Sequence, residues 1–345
     1  MKKTAFTATL LCLLLCIAGC GADPGPDSAT DAKGPESMQR VSEEESATPA
    51  EQSAGQPYTA DATIQEVIHD PVFGAYGRLL FPTDSGYYSG DTLGSLGLTW
   101  YNNIDPEKTV EIVNYLKSRA QAGEKIFYPI YTEEERAADP DKEDTGLFYF
   151  RGNPGEKFAV CNAGGAFAYV GAMQDSFPHA LELSKKGYHA FALIYRPGAQ
   201  TACEDLARAI SFIFAHADTL GVDTACYSLW GGSAGARMAA WLGSYGPAAF
   251  GGEDLPRPGA VIMQYTGHSD YSANDPPTYA CVGERDGIAD WRTMRRRIEN
   301  LSALGIPTEF HHYPGLGHGF GLGAHTAAEG WIDEAVAFWE KQMEE

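Results

Sequence analysis

Short apolar runs recur along the last two thirds of the chain, and longer amphipathic stretches separate them. Phe158–Cys161, His189–Tyr195, Tyr227–Trp230, Ala260–Gln264, Thr278–Val282 and Thr308–Tyr313 each read as a strand. Phe127–Tyr131 and Leu147–Phe150 read as shorter strands before them. Between the runs lie helical patterns. One runs from about Ser176 to Lys186 and stops at Gly187. A second opens on the capping-box pattern Thr201-Ala202-Cys203-Glu204 and runs towards Ala217. A third closes the chain with Trp331, Ile332, Val336 and Trp339 on its apolar side. Strands without polar alternation are buried on both faces. Their alternation with helices predicts an α/β fold with a mostly parallel central sheet and helices on both faces.

Upstream the pattern changes. Asp105-Pro106-Glu107 starts a helix whose apolar side is Val110, Ile112, Val113 and Leu116, and Gly123 stops it. The rest of the stretch is aromatic-rich turns with no fold signature of its own. Residues 58–125 therefore read as an N-terminal cap or extension, and residues 126–345 as the catalytic domain. Residues 20–57 are rich in Asp, Glu, Ser, Ala, Gly and Pro. Such a segment cannot bury enough apolar area to offset its ordering entropy, which predicts a flexible acidic linker. Residues 1–19 carry Lys2 and Lys3, an apolar run from Leu10 to Ile17, and then Ala18-Gly19 before Cys20, as an export signal does.

Lys and Arg number 25 against 46 Asp and Glu, a formal net charge of −21. A surface of that sign repels nucleic-acid phosphates, so no nucleic-acid partner is expected. Three of the seven cysteines lie in or at the end of the leader. Cys161 and Cys281 sit in strand-like runs as small apolar residues, while Cys203 and Cys226 leave a disulfide open. No Cys-x-x-Cys pair or His/Cys cluster suggests a metal, and the chemistry below needs no cofactor.

That chemistry starts at Gly231-Gly232-Ser233-Ala234-Gly235, directly after a strand and directly before the helical Ala236-Arg237-Met238-Ala239. A strand–turn–helix this tight needs small neighbours and lifts the serine hydroxyl above the sheet edge. Serine is a weak nucleophile without a base. His318, in Pro314-Gly315-Leu316-Gly317-His318-Gly319-Phe320 beyond the last strand, is the expected base, with His325 as its rival. The orienting acid is expected after the preceding strand, in Gly283-Glu284-Arg285-Asp286-Gly287. Asp286 is the candidate there, and Glu284 and Asp290 are the alternatives. Oxyanion donors are expected from the backbone N–H of Ala234 and, in Asn162-Ala163-Gly164-Gly165-Ala166-Phe167, from those of Gly165 and Ala166.

Taken in order, these motifs resemble the hormone-sensitive-lipase-like and bacterial acetyl- or feruloyl-esterase families of the α/β-hydrolases. Tyr195-Arg196-Pro197 and Glu204-Asp205 add to the resemblance, and Arg196 with Asp205 is expected to be a structural ion pair. The families' His-Gly-Gly-Gly is Ala163-Gly164-Gly165-Ala166 here. The resemblance implies a serine esterase acting on a small-molecule or glycan ester. Only a short loop with His268 and Asp270 stands between the Ala260 strand and Asp286. The absence of a long apolar lid there points to short acyl groups such as acetyl. Tyr87, Trp100 and Tyr101 are candidates for stacking a sugar. Ile17-Ala18-Gly19-Cys20 resembles the lipobox of bacterial lipoproteins. This implies an exported protein lipid-anchored through Cys20, with the membrane as a partner. The alternatives are a serine peptidase of the prolyl-oligopeptidase type and a catalytically silent binding lipoprotein.

Overall fold

The strands follow the apolar runs closely. The computed structural model describes residues 55–98 and 103–344. The leader, Cys20, most of the linker, Trp100 and Tyr101 lie outside the described residues. β1 (Tyr88–Ser89) and β2 (Gly97–Leu98) form a small antiparallel pair. The main sheet holds β3 (Phe127–Pro129), β4 (Gly146–Phe150), β5 (Lys157–Asn162), β6 (His189–Ile194) and β7 (Asp223–Gly232). It is completed by β8 (Ala260–Gln264), β9 (Thr278–Gly283) and β10 (Thr308–Tyr313). Its order is β10-β9-β8-β7-β5-β6-β4-β3. β5 to β10 run parallel, and β4 and β3 are added antiparallel at one edge. Helices surround the sheet, and one contiguous apolar core runs from Ile64 to Trp339. In an open sheet of this kind, the loops at the carboxyl ends of the strands share one crevice.

The helix starting at Pro106 forms as its caps dictate. Asp105 accepts from the N–H groups of Glu107 and Lys108, and the helix runs to Gln121. Residues of the N-terminal stretch enter the common core, where Tyr76 packs on Phe127 with ring centroids 4.4 Å apart. The helix expected to open at Thr201 begins earlier. It spans Ala199–Ala215 with Gly198 as its cap, so Thr201 and Glu204 lie inside it and make no capping box. The reason is tertiary. The Gly198 N–H donates to the Phe167 carbonyl, which fixes the chain's entry ahead of the local signal. The helix expected from Ser176 is a short turn, Ala172–Asp175, followed by a helix over Phe177–Lys185.

Cys203 and Cys226 are both free, and the Cys226 thiol donates to the Gln342 carbonyl. Arg196 and Asp205 form the ion pair, with Nη2 2.7 Å from Oδ1 and the Arg196 N–H also donating to Oδ2.

Candidate active site

Ser233 sits between β7 and the helix Ala234–Tyr245 with φ 54° and ψ −113°. This left-handed conformation is costly for a non-glycine residue and persists only where its surroundings enforce it. Two constraints do so. The Ser233 N–H donates to the carbonyl of Gln264 at the end of β8. The glycines beside it also permit an approach that no other residue would. A Cβ on Gly231 would strike the Gly235 backbone, and one on Gly235 would strike the Asn162 carbonyl of β5. The turn lifts the hydroxyl to the sheet edge and leaves the Ala234 N–H at the open start of the helix.

His318 and Asp286 arrive from the loops after β10 and β9. Backbone bonds tie those loops together, from Glu284 N–H to the Tyr313 carbonyl and from Arg285 N–H to that of Leu316. His318 Nε2 lies 2.9 Å from Ser233 Oγ, and His318 Nδ1 lies 2.7 Å from Asp286 Oδ2. The other carboxylate oxygen of Asp286 accepts from Ile288 N–H at 2.8 Å and Ala289 N–H at 2.7 Å, which locks its orientation. With a proton on Nδ1 facing the carboxylate, Nε2 is the acceptor for the serine hydroxyl. The rivals stand elsewhere. Glu284 is exposed, Asp290 caps the helix Trp291–Ala303, and His325 is exposed with its N–H on Glu329.

The loop after β5 passes beside Ser233, where a Cβ on Gly164 would lie 3.0 Å from the Ser233 Cβ. Gly165, Ala166 and Phe167 have φ of 131°, 54° and 60°, and the N–H groups of this stretch that are unpaired among the described residues form the candidate donor nest. The loop's carbonyls are held outside the nest. That of Ala163 accepts from Tyr195 Oη at 2.8 Å, that of Gly164 from Gly171 N–H, and that of Gly165 from Ala168 N–H. Among the described residues, the N–H groups of Gly165, Ala166 and Ala234 have no acceptor. Ala166 and Ala234 line a cavity of about 280 Å³ with Ser233 and His318, whereas Gly165 does not reach its wall. Alanine in place of the family's glycine at 166 therefore keeps its donor at the cost of a strained φ.

Asp175 is the residue that the sequence did not single out. It is fully buried beneath this loop, accepts from Gly164 N–H at 2.8 Å, and takes the Tyr265 hydroxyl at 2.5 Å. Burial pushes its carboxyl above the usual range, while those two donors and nearby His318 pull it back. The Tyr265 ring meets His318 edge-on at 5.1 Å, so one carboxylate braces both the nest and the base. Asn103 and Gln174 also escaped the reading. Both donate to the Gly319 carbonyl, beside His318. Tyr87 is half exposed and stacks on Tyr169 at 4.6 Å, so its ring face is already taken on that side.

Removing the Asp175 carboxylate takes this acceptor from the Gly164 N–H and the Tyr265 hydroxyl, at about 1–3 kcal/mol each. Asp175→Ala is accordingly expected to lower unfolding stability by roughly 2–6 kcal/mol, read from urea midpoints. Asp175→Asn keeps one acceptor oxygen and should lose about half as much. An alanine variant as stable as the parent would show that the carboxylate does not brace the loop.

The comparisons agree with this architecture. Residues 153–292 match the BD-FAE family model, a span that includes Ser233 and Asp286 and ends before His318. No curated protein matches the chain by sequence. Among solved structures, an acetyl ester-xyloside bifunctional hydrolase from Caldicellulosiruptor lactoaceticus superposes with a TM-score of 0.55. Its identity is 20%, covering 62% of this chain and 95% of the other. Thermogutta terrifontis esterase 2, phosphorylated by paraoxon, gives 0.52 at 18% identity, covering 64% and 96%. A sugar hydrolase from Lactococcus lactis gives 0.51 at 20% identity, covering 58% and 95%. Each neighbour aligns over almost its whole length, so more than a third of this chain lies outside the shared fold. A parallel sheet of this order, with Ser233, His318 and Asp286 hydrogen-bonded at the carboxyl ends of its strands, gives the chain the α/β-hydrolase fold.

Proposed function

We propose that the protein is a serine carboxylic-ester hydrolase that works through an acyl-enzyme on Ser233. The observation that carries this reading is the hydrogen-bonded line Ser233–His318–Asp286 opening into a cavity that Ala166 and Ala234 also line. His318 Nε2 takes the hydroxyl proton as Ser233 Oγ attacks the ester carbonyl. The N–H groups of Ala166 and Ala234 receive the oxyanion, and Asp286 stabilises the imidazolium. The tetrahedral intermediate collapses, His318 gives its proton to the leaving alcohol, and the acyl group stays on Ser233. Water, deprotonated by His318, then attacks the acyl-enzyme and releases the acid, restoring the serine.

The acyl group is short, with acetyl as the leading example. A cavity of about 280 Å³ suits a small ester, below the ~300–1,000 Å³ usual for larger ligands. A carbohydrate as the alcohol is supported by the name of the acetyl ester-xyloside neighbour. The leader and Cys20 support export and lipid anchoring outside the cytoplasm, with residues 20–57 as the tether.

Fluorophosphonate labelling with peptide mapping tests the mechanism, and a p-nitrophenyl ester series tests the acyl size. The adduct belongs on Ser233 and the peak rate at two to about four acyl carbons. An adduct on another residue would overturn the mechanism, and peak activity on long chains would overturn the short-acyl assignment.

A further inference from the structure

Arg237 stands four residues after Ser233 on the helix Ala234–Tyr245, so the two lie one turn apart on the same face. It lines the same cavity as Ser233 and His318. Its guanidinium lies 5.7 Å from the centroid of the Trp241 ring. Trp241 in turn stacks on Phe167 and meets His268 edge-on at 5.6 Å. This aromatic wall gives the guanidinium a fixed seat.

Among the described residues, the guanidinium has no counter-charge. Among the described arginines that are buried or half-buried, Arg119, Arg136, Arg151, Arg196, Arg208 and Arg297 all have carboxylate partners. Arg237 has neither a carboxylate nor a carbonyl acceptor among the described residues. That is unexpected in a chain with 46 acidic residues against 25 basic ones. The facing groups do not compensate. Asp286 is engaged with His318 and its own loop, and Asp275 with Arg297. His268 is buried, and burial together with the neighbouring Arg297 and Arg237 pushes it down to about 3, so it is neutral. Five N–H donors on a planar cation thus line the cavity that holds the nucleophile, with no carboxylate of the described residues bound to them.

We infer that Arg237 binds a carboxylate carried by the substrate itself, so that the preferred esters are acidic ones. The inference rests on the esterase reading above and narrows its substrate class. A carboxylate matches the guanidinium fork in two parallel charge-assisted hydrogen bonds, which a neutral ester cannot form.

The test compares matched pairs in the intact protein. For an anion on the alcohol side, 4-acetoxybenzoate is compared with methyl 4-acetoxybenzoate. For an anion on the acyl side, monomethyl succinate is compared with dimethyl succinate. The quantity read is the anionic-to-neutral ratio of kcat/KM in the parent, divided by that ratio in Arg237→Gln, which cancels intrinsic reactivity. A quotient of about tenfold or more in either pair supports the inference and assigns the side, and Arg237→Lys should fall between. A quotient near one in both pairs overturns it. No turnover of any of the four esters would instead sink the esterase reading. Should Arg237→Gln not fold, inhibition of the parent by 4-acetamidobenzoate against its methyl ester gives the same answer. The anion should inhibit more strongly and lose that advantage in salt, and equal inhibition overturns the inference.

Discussion

Ser233→Ala is expected to cut kcat/KM on a short p-nitrophenyl ester by about 10⁴- to 10⁶-fold while leaving the thermal midpoint essentially unchanged. Among the described residues, the side chain hydrogen-bonds only to His318 Nε2, so its removal deletes the nucleophile and little else. His318→Ala should cost about as much, because the hydroxyl then has no acceptor for its proton. The double variant should be hardly worse than either single one, since residues that act as a unit do not add. A residual rate of about 10³-fold over water should survive in all three from the nest and Ala234. Multiplicative losses in the double variant would mean that the serine and histidine act independently, contrary to the 2.9 Å contact. A loss of tenfold or less in Ser233→Ala would show that Ser233 is not the nucleophile.

Asp286→Asn is expected to lower kcat/KM by about 10⁴-fold through a single proton. The asparagine oxygen can keep accepting from the N–H groups of Ile288 and Ala289, so the loop after β9 holds its shape. Its amide then presents N–H to His318 Nδ1, where the carboxylate had accepted. The ring must answer by placing its own proton on Nε2, which points it at Ser233 Oγ and removes the base. Imidazole nitrogen shifts in the NMR spectrum report that tautomer directly, apart from activity. Asp286→Ala should lose activity and also stability, by about 1–3 kcal/mol for each stranded N–H. An asparagine variant within tenfold of the parent, or one with its proton still on Nδ1, would show that Asp286 does not set the tautomer.

Much of this site could be read in the order of residues. Gly231 to Gly235 had meaning because an apolar strand precedes it and a helix follows, and the small neighbours are what the close approach to Asn162 requires. Asp286 and His318 followed because each stands just past a strand, where a parallel sheet collects its loops. Asp175 gave no such signal. It lies 90 residues from Tyr265 in sequence, inside a run that reads as the approach to an ordinary helix. Asn103 reaches Gly319 across 216 residues from a stretch with no fold signature. Arg237 looked like a routine polar position on an alanine-rich helix. Its lack of a carboxylate partner among the described residues follows from where the other loops place theirs, Asp286 on His318 and Asp275 on Arg297.

The sequence by itself determined the class of fold, the serine, and the ordered pair that follows it. Those depend on short-range sterics: apolar runs that must be buried, glycines that permit a left-handed turn, and strand ends that place loops. The tertiary structure alone decided which N–H groups face the cavity, which buried carboxylate braces them, and where the helix after Gly198 begins. Those depend on sheet order, which brings β5, β7, β9 and β10 loops from separate parts of the chain to one edge. A buried donor such as the Gly164 N–H costs more when it is unpaired than a lost cap does, so the packing around it outweighs local preference.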